Sequence, residues 1–234
     1  KRILICNVPG YSTASVAQHT FALLLELTNH VGRNARSTAR GKWNESKDFC
    51  YTEAPIAELA GKVIGLVGLG NIGRQVACIA NAFDMKVIYF NPSKKDTGLA
   101  EATSLKAIFE QSDVVSLHCP LKDDNAGFLN MDLLKKMKTS ALLINTARGN
   151  LINEEDLAGA LNQGIIAGAG LDVLSKEPPL AANPLLQAKN CIITPHTSWM
   201  SKEARQRVMT ITAENIQGFL NEEPVGVVNL SSNR

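Results

Sequence analysis

Between residues 63 and 194 the chain alternates short apolar runs with longer stretches whose apolar positions recur at helical spacing. Apolar runs at 63–67, 86–90, 114–118, 141–145, 167–172 and 191–194 have the length of strands, and helices are predicted at 72–83, 104–110, 131–137 and 154–162. Six such strands separated by helices imply an α/β fold, a doubly wound and mainly parallel sheet. Asn153 is placed to cap the 154–162 helix, with Asp156 three residues on, and Gly164 to close it.

The flanks are less regular. Residues 15–30 carry Val16, Phe21, Leu24, Leu25 and Leu27 at helical spacing, apolar enough for a helix buried on more than one side. Residues 32–55 are polar and irregular, with Trp43, Phe49 and Tyr51 set among charges, which fits either a subunit contact or packing on the parent domain. Residues 1–7 have the pattern of a strand that enters mid-fold. An amphipathic helix is predicted at 201–220, followed by an extended tail at 224–230.

Composition narrows the class. A chain of 234 residues with 45% apolar content can bury a full core. The net charge of +2 comes without a dense basic run, so a nucleic-acid partner is not expected. The five cysteines show no CxxC spacing, which argues for a reducing compartment rather than a disulfide framework. No apolar stretch reaches the length of a membrane span and the start lacks the order of a signal peptide, so a cytoplasmic protein without membrane contact is expected.

Candidate chemistry sits just after the strands. In open α/β sheets ligands bind beyond the carboxyl ends of the strands, so residues at those ends can converge. Gly68, Gly70 and Gly73 form a GxGxxG turn between a strand and a helix, with Gly68 for the tight turn, Gly70 for close approach of a pyrophosphate and Gly73 for helix packing. Asn91 ends the next strand, where an acid usually binds the ribose. Asparagine still bonds a hydroxyl but does not repel a 2′-phosphate, and Ser93 with Lys94 or Lys95 is positioned to receive one.

Arg148 follows the 141–145 strand, and its guanidinium suits a bidentate grip on a carboxylate. Glu177 lies in a Lys-Glu-Pro-Pro turn and His196 follows a strand-ending proline; a carboxylate beside an imidazole orients it and favours its protonated form. Cation, proton donor and a hydride source are what reduction of a 2-oxo acid needs. Taken singly, each of these residues also has a plain structural role. His19, His30 and His118 fall in helix or strand patterns without metal-ligand spacing, so they are expected to be structural and no metal is expected.

In series, GLGNIG at 68–73, NTARGNLINEEDL at 145–157, GAGLDVLSKEPP at 168–179 and TPHTSW at 194–199 resemble the D-isomer-specific 2-hydroxyacid dehydrogenases, over about residues 7–229. The resemblance implies a Rossmann-type NAD-binding domain and hydride transfer between a nicotinamide and a small 2-oxo or 2-hydroxy acid. Arg148 would bind and polarise the substrate, Glu177 support the histidine, and His196 exchange the proton. Asn71, Ile72, Asn91, Thr146, Ala147, Arg148, Asp172, His196 and Trp199 would line the dinucleotide site. NAD is the expected cofactor, with NADP admitted because Asn91 stands where the family usually has aspartate.

Residues 7–11 and 15–20 are most similar to the glycerate dehydrogenase (hydroxypyruvate reductase) branch, which implies hydroxypyruvate and D-glycerate as the favoured pair. Formate dehydrogenases of the same superfamily carry glutamine where this chain has Glu177. The implied layout is a remnant of a substrate domain at 1–12, a dinucleotide-binding domain at 13–197 with a dimerisation arm near 32–60, and a helix and tail at 198–234 returning to the substrate domain. The amino-terminal half of that substrate domain is expected to be missing, and the assembly is expected to be a homodimer. Two alternatives stay open: an NADH-sensing interaction protein similar to the C-terminal-binding corepressors, and a cofactor-binding piece without activity of its own.

Overall fold

A computed structural model describes residues 3–93 and 98–229. Seven parallel strands form one sheet: β1 (Val63–Val67), β2 (Lys86–Phe90), β3 (Glu101–Ala102), β4 (Val114–Leu117), β5 (Leu142–Asn145), β6 (Gly168–Leu171) and β7 (Cys191–Ile193). Their order is β3-β2-β1-β4-β5-β6-β7, so the winding reverses between β1 and β4. At such a reversal the connections leave to opposite faces and a crevice opens at the carboxyl edge.

Helices cover both faces. α1 (Thr13–Asn29) and α3 (Asn71–Ala82) share one apolar core with β1 and β2, in which Leu24, Ile64, Leu66 and Val76 are fully enclosed. The other face is covered by α4 (Leu105–Gln111), α5 (Met131–Leu134) and α6 (Glu154–Gln163), packed with Ile108, Phe109, Leu143 and Leu157 against the sheet. Local chemistry sets the boundaries of these helices. Ser104 and Asn130 cap α4 and α5 by accepting from backbone amides, and Gly164 ends α6 in the left-handed conformation.

Four local differences from the sequence pattern stand out. The 32–55 stretch contains a helix, α2 (Val31–Ala39), none of whose residues is buried; without an apolar stripe it leaves no periodic signal. Strand β3 is absent from the apolar pattern, because its two residues are exposed and polar or small. Asn153 does cap α6, accepting from the Asp156 amide at 3.2 Å, but the Asp156 carboxylate accepts from Met131 at 2.9 Å and no reciprocal capping box forms. Of residues 1–7, expected to be a strand, the described residues 3–7 make a single antiparallel bridge, Cys6 with Val227, extended by bonds from Asn7 to Gly226 and from Val228 to Ile5.

The last helix, α7 (Lys202–Leu220), is capped by Ser201 and buries Ala204, while Met209, Ile216, Phe219 and Leu220 face outward. Among the described residues no helix is long and apolar enough to cross a membrane. All five cysteines are free, and burial pushes the Cys119 thiol up and that of Cys191 up to about 12, so neither is a ready nucleophile.

Candidate active site

The glycine turn between β1 and α3 shows why each glycine is there. Gly68 has φ +105°, and a Cβ on it would lie 2.7 Å from the carbonyl carbon of His118. A Cβ at Gly73 would come within 2.3 Å of the Gly68 carbonyl oxygen, so the helix could not start so close to the turn. At Gly70 nothing stands within 4 Å; the space beyond its backbone is open, as a bound pyrophosphate requires. Asn71 and Ile72 follow as the first residues of α3, whose Gly70 N-cap supplies no side-chain bond to the first-turn amides.

Beside this turn lies a cavity of about 470 Å³, lined among others by Gly68, Phe90, Asn91, Ser93, Cys119 and Phe128. Asn91 sits at the end of β2, accepting from the Leu69 amide at 3.4 Å and donating to the Ser93 carbonyl at 2.9 Å. Lys94 and Lys95 lie outside the described residues. The open backbone at Gly70, the helix amino terminus and the apolar cavity together fit a dinucleotide.

His118 lies under the turn, its Nε2 2.9 Å from the Ser116 hydroxyl. The residue keeps a fringe of exposed surface, but its ring is enclosed, and desolvation pushes it down to about 4. The unfolded chain carries this group near its ordinary 6.5, so between those values the unfolded state binds more protons and stability falls as pH falls. The loss attributable to His118 should approach about 2 kcal/mol between pH 7 and pH 5, or about 4–8 °C in Tm. Thermal melts of His118→Gln should show a flatter pH dependence over that window; superimposable profiles would mean that His118 is not held neutral.

The catalytic candidates come from three strand ends. Asn145, the last residue of β5, is fully buried; its side chain accepts from the Ala147 amide at 3.0 Å and donates to the Arg148 carbonyl at 2.9 Å, folding residues 145–148 into a tight turn. Thr146 is buried with its hydroxyl 3.1 Å from that of Thr20, Ala147 packs on the core, and Arg148 is exposed at the edge. Gly149 lets the turn lie against the backbone of Leu174, whose amide donates to Glu177 Oε1 at 3.0 Å. The other carboxylate oxygen, Oε2, accepts from His196 Nδ1 at 2.6 Å. Arg148, Glu177 and His196 line one cavity of about 130 Å³ with Leu121, Asn150 and Leu174.

The loop that carries His196 is held by Asp172. One oxygen of that carboxylate accepts from the Thr194 hydroxyl at 2.6 Å and the Thr197 amide at 2.9 Å, the other from the Ser198 amide at 2.8 Å. Burial alone would raise the Asp172 carboxyl, but the hydrogen bonds from Ser198, Thr194 and Thr197 outweigh it and hold it below the usual carboxylate range. Asp172 is only 1% exposed, so here its visible work is to fix the loop. Trp199 stands apart from both cavities, edge-on to Tyr11 with ring centroids 6.3 Å apart. Among the described residues no cluster of three metal-capable side chains occurs.

Residues 21–198 match the NAD binding domain of the D-isomer specific 2-hydroxyacid dehydrogenases. The chain belongs to that family. A hydroxypyruvate reductase of Blautia hydrogenotrophica is 46% identical over 98% of this chain and 72% of its own length. A glycerate dehydrogenase of Methylorubrum extorquens is 42% identical over 97% of this chain and 71% of its own. Among solved structures, an acyclic imino acid reductase in complex with NADPH and D-Arg superposes with a TM-score of 0.87 at 39% identity, covering 97% of this chain and 71% of that one. Members of the family act on small hydroxy and oxo acids, and this dehydrogenase is an oxidoreductase with the family's parallel, nucleotide-binding sheet.

Sequence reasoning passed over several groups that shape the site. Asn145 signals itself as an Asx residue at a strand end before a turn. Ser15 and His19 share one face of α1, four residues apart, but nothing in the sequence tells which loop they meet.

Proposed function

We propose that this dehydrogenase reduces hydroxypyruvate to D-glycerate with either NADH or NADPH, or runs the reverse reaction with NAD+ or NADP+. The observation that carries the reading is the 2.6 Å contact of His196 Nδ1 with Glu177, in one small cavity with Arg148. With Nδ1 committed to the carboxylate, Nε2 is left as the atom that exchanges a proton with the substrate oxygen. Arg148 binds the substrate carboxylate and polarises the carbonyl. A nicotinamide, when bound, supplies or takes the hydride. The small cavity and the similarity to the reductase of B. hydrogenotrophica and the dehydrogenase of M. extorquens favour a short, polar 2-oxo acid.

Asn91 supports dual cofactor use. A neutral amide at the end of β2 accepts a ribose hydroxyl and does not repel a 2′-phosphate, and the imino acid reductase at 39% identity was solved with NADPH. Exposed Phe49, at 90%, and Trp43 on the arm after α2 fit a homodimer contact. Residues 3–12, α7 and its tail, joined by the Cys6–Val227 bridge and by Asn215 bonding Asn7, fit one substrate-domain unit.

Turnover of hydroxypyruvate with each cofactor tests the reading. Comparable kcat/KM for NADH and NADPH is expected, and Asn91→Asp should lower the NADPH value by at least about tenfold while sparing NADH, because the new carboxylate faces the phosphate. Absence of turnover with either cofactor would overturn hydroxypyruvate as the substrate; an unchanged ratio in Asn91→Asp would remove Asn91 from the ribose subsite.

A further inference from the structure

We infer that His19, on the second turn of α1, is a positioning residue for His196, acting through Thr194 and Asp172. The inference rests on reading His196 as the proton-exchanging group. Asp172, held ionised, can only accept, and the Thr194 hydroxyl lies 2.6 Å from its Oδ1. The single hydroxyl proton is therefore committed to the carboxylate, and the Thr194 oxygen has acceptor capacity left. His19 Nε2 stands 2.9 Å from that oxygen and 3.4 Å from Asp172 Oδ1. Two acceptors face one ring nitrogen, so Nε2 must carry a hydrogen and donate.

The chain of bonds then runs from α1 into the loop of the proton donor. Asp172 passes the constraint to the Thr197 and Ser198 amides, and its own carbonyl accepts from the His196 amide at 2.9 Å. His196 is itself in the left-handed region, φ +54°, a conformation that a side-chain-bearing residue keeps only when its surroundings impose it. One turn before His19, Ser15 donates to the Ser198 carbonyl at 2.5 Å. Ser15 and His19 thus hold the loop at two points from one face of α1. The rest of α1 supplies a rigid base, since Val16, Ala17, Thr20, Phe21 and Leu24 are buried against the sheet. Without the His19 donor, the acceptors on Thr194 and Asp172 lose a partner in a partly buried place, and the loop gains freedom at the residue that must meet the substrate.

Nitrogen-resolved NMR of the histidine rings reads the first step directly: His19 is expected with its proton on Nε2, and a neutral ring protonated on Nδ1 alone would overturn the inference. His19→Phe fills the space without a donor, and His19→Gln keeps an N–H. Turnover of hydroxypyruvate is expected to fall about tenfold in kcat for H19F, the order of one lost hydrogen bond, with substrate KM within about twofold and H19Q close to the parent. The His196 ring resonances should move in H19F and not in H19Q. Equal losses in H19F and H19Q, or no loss in H19F, would overturn it by assigning His19 to shape alone. Should H19F fail to fold, Thr194→Val breaks the same chain from the other side and should lower kcat to a similar extent; full activity in T194V would be equally fatal. A parent protein that turns over no 2-oxo acid, yet shows the Nε2 proton and the shift of the His196 resonances in H19F alone, would sink the dehydrogenase reading and uphold the positioning.

Discussion

His196→Ala is expected to lower kcat for hydroxypyruvate by about 10²- to 10⁴-fold, the range that a placed general acid contributes, while NADH still binds. The expectation follows from how much of the fold is committed to one imidazole. Its Nδ1 is 2.6 Å from Glu177, whose other oxygen accepts from the Leu174 amide, so the carboxylate can neither rotate nor withdraw without breaking a bond. Its backbone is pinned by the Asp172 carbonyl and its neighbours by the Asp172 carboxylate. None of these contacts touches the Gly68–Gly73 turn, which is why cofactor affinity should survive. Steady-state turnover beside a fluorescence titration with NADH checks both halves. Turnover within about tenfold of the parent would contradict the assignment of His196 as proton donor.

The second large effect is expected at Gly149. A Cβ there would lie 1.9 Å from the carbonyl carbon of Leu174 and 2.1 Å from its oxygen, both main-chain atoms that cannot turn aside. Gly149→Ala must therefore push apart the 145–149 turn and the 174–177 segment, at a cost of about 3 kcal/mol or more, or about 6–12 °C in Tm. The same displacement separates Arg148 from Glu177, so activity should fall with stability. Gly70→Ala is the natural control: its Cβ meets nothing within 4 Å, so the melting temperature should hold while dinucleotide affinity drops. A Gly149→Ala protein that melts like the parent would mean that the two backbones do not approach as described.

The arrangement of strands was legible because each core strand is a short apolar run closed by a turn residue. The predicted runs at 63–67 and 86–90 coincide with β1 and β2, and the others differ by one or two residues at their ends. The placement of the candidate groups Arg148, Glu177 and His196 was legible for a related reason: residues just past strand ends in a parallel sheet share its carboxyl edge. What escaped had no local signature. α2 carries no buried residue, and β3 has no apolar one that is buried. Asp156 looked like half of a capping box and instead bonds Met131, across a loop from another helix.

By itself, then, the sequence determined the alternation of elements, the glycine turn, and the presence of an arginine, a glutamate and a histidine at one edge of one sheet, since all of these depend on residue type and spacing along the chain. Tertiary structure alone decided that Gly149 faces the Leu174 backbone, that Asp172 spends its carboxylate on the loop of His196, and that Ser15 and His19 reach that loop from α1. Those contacts join residues 22 to 183 positions apart. Their partners are chosen by which face of a helix the hydrophobic core turns inward, and no local pattern encodes that choice.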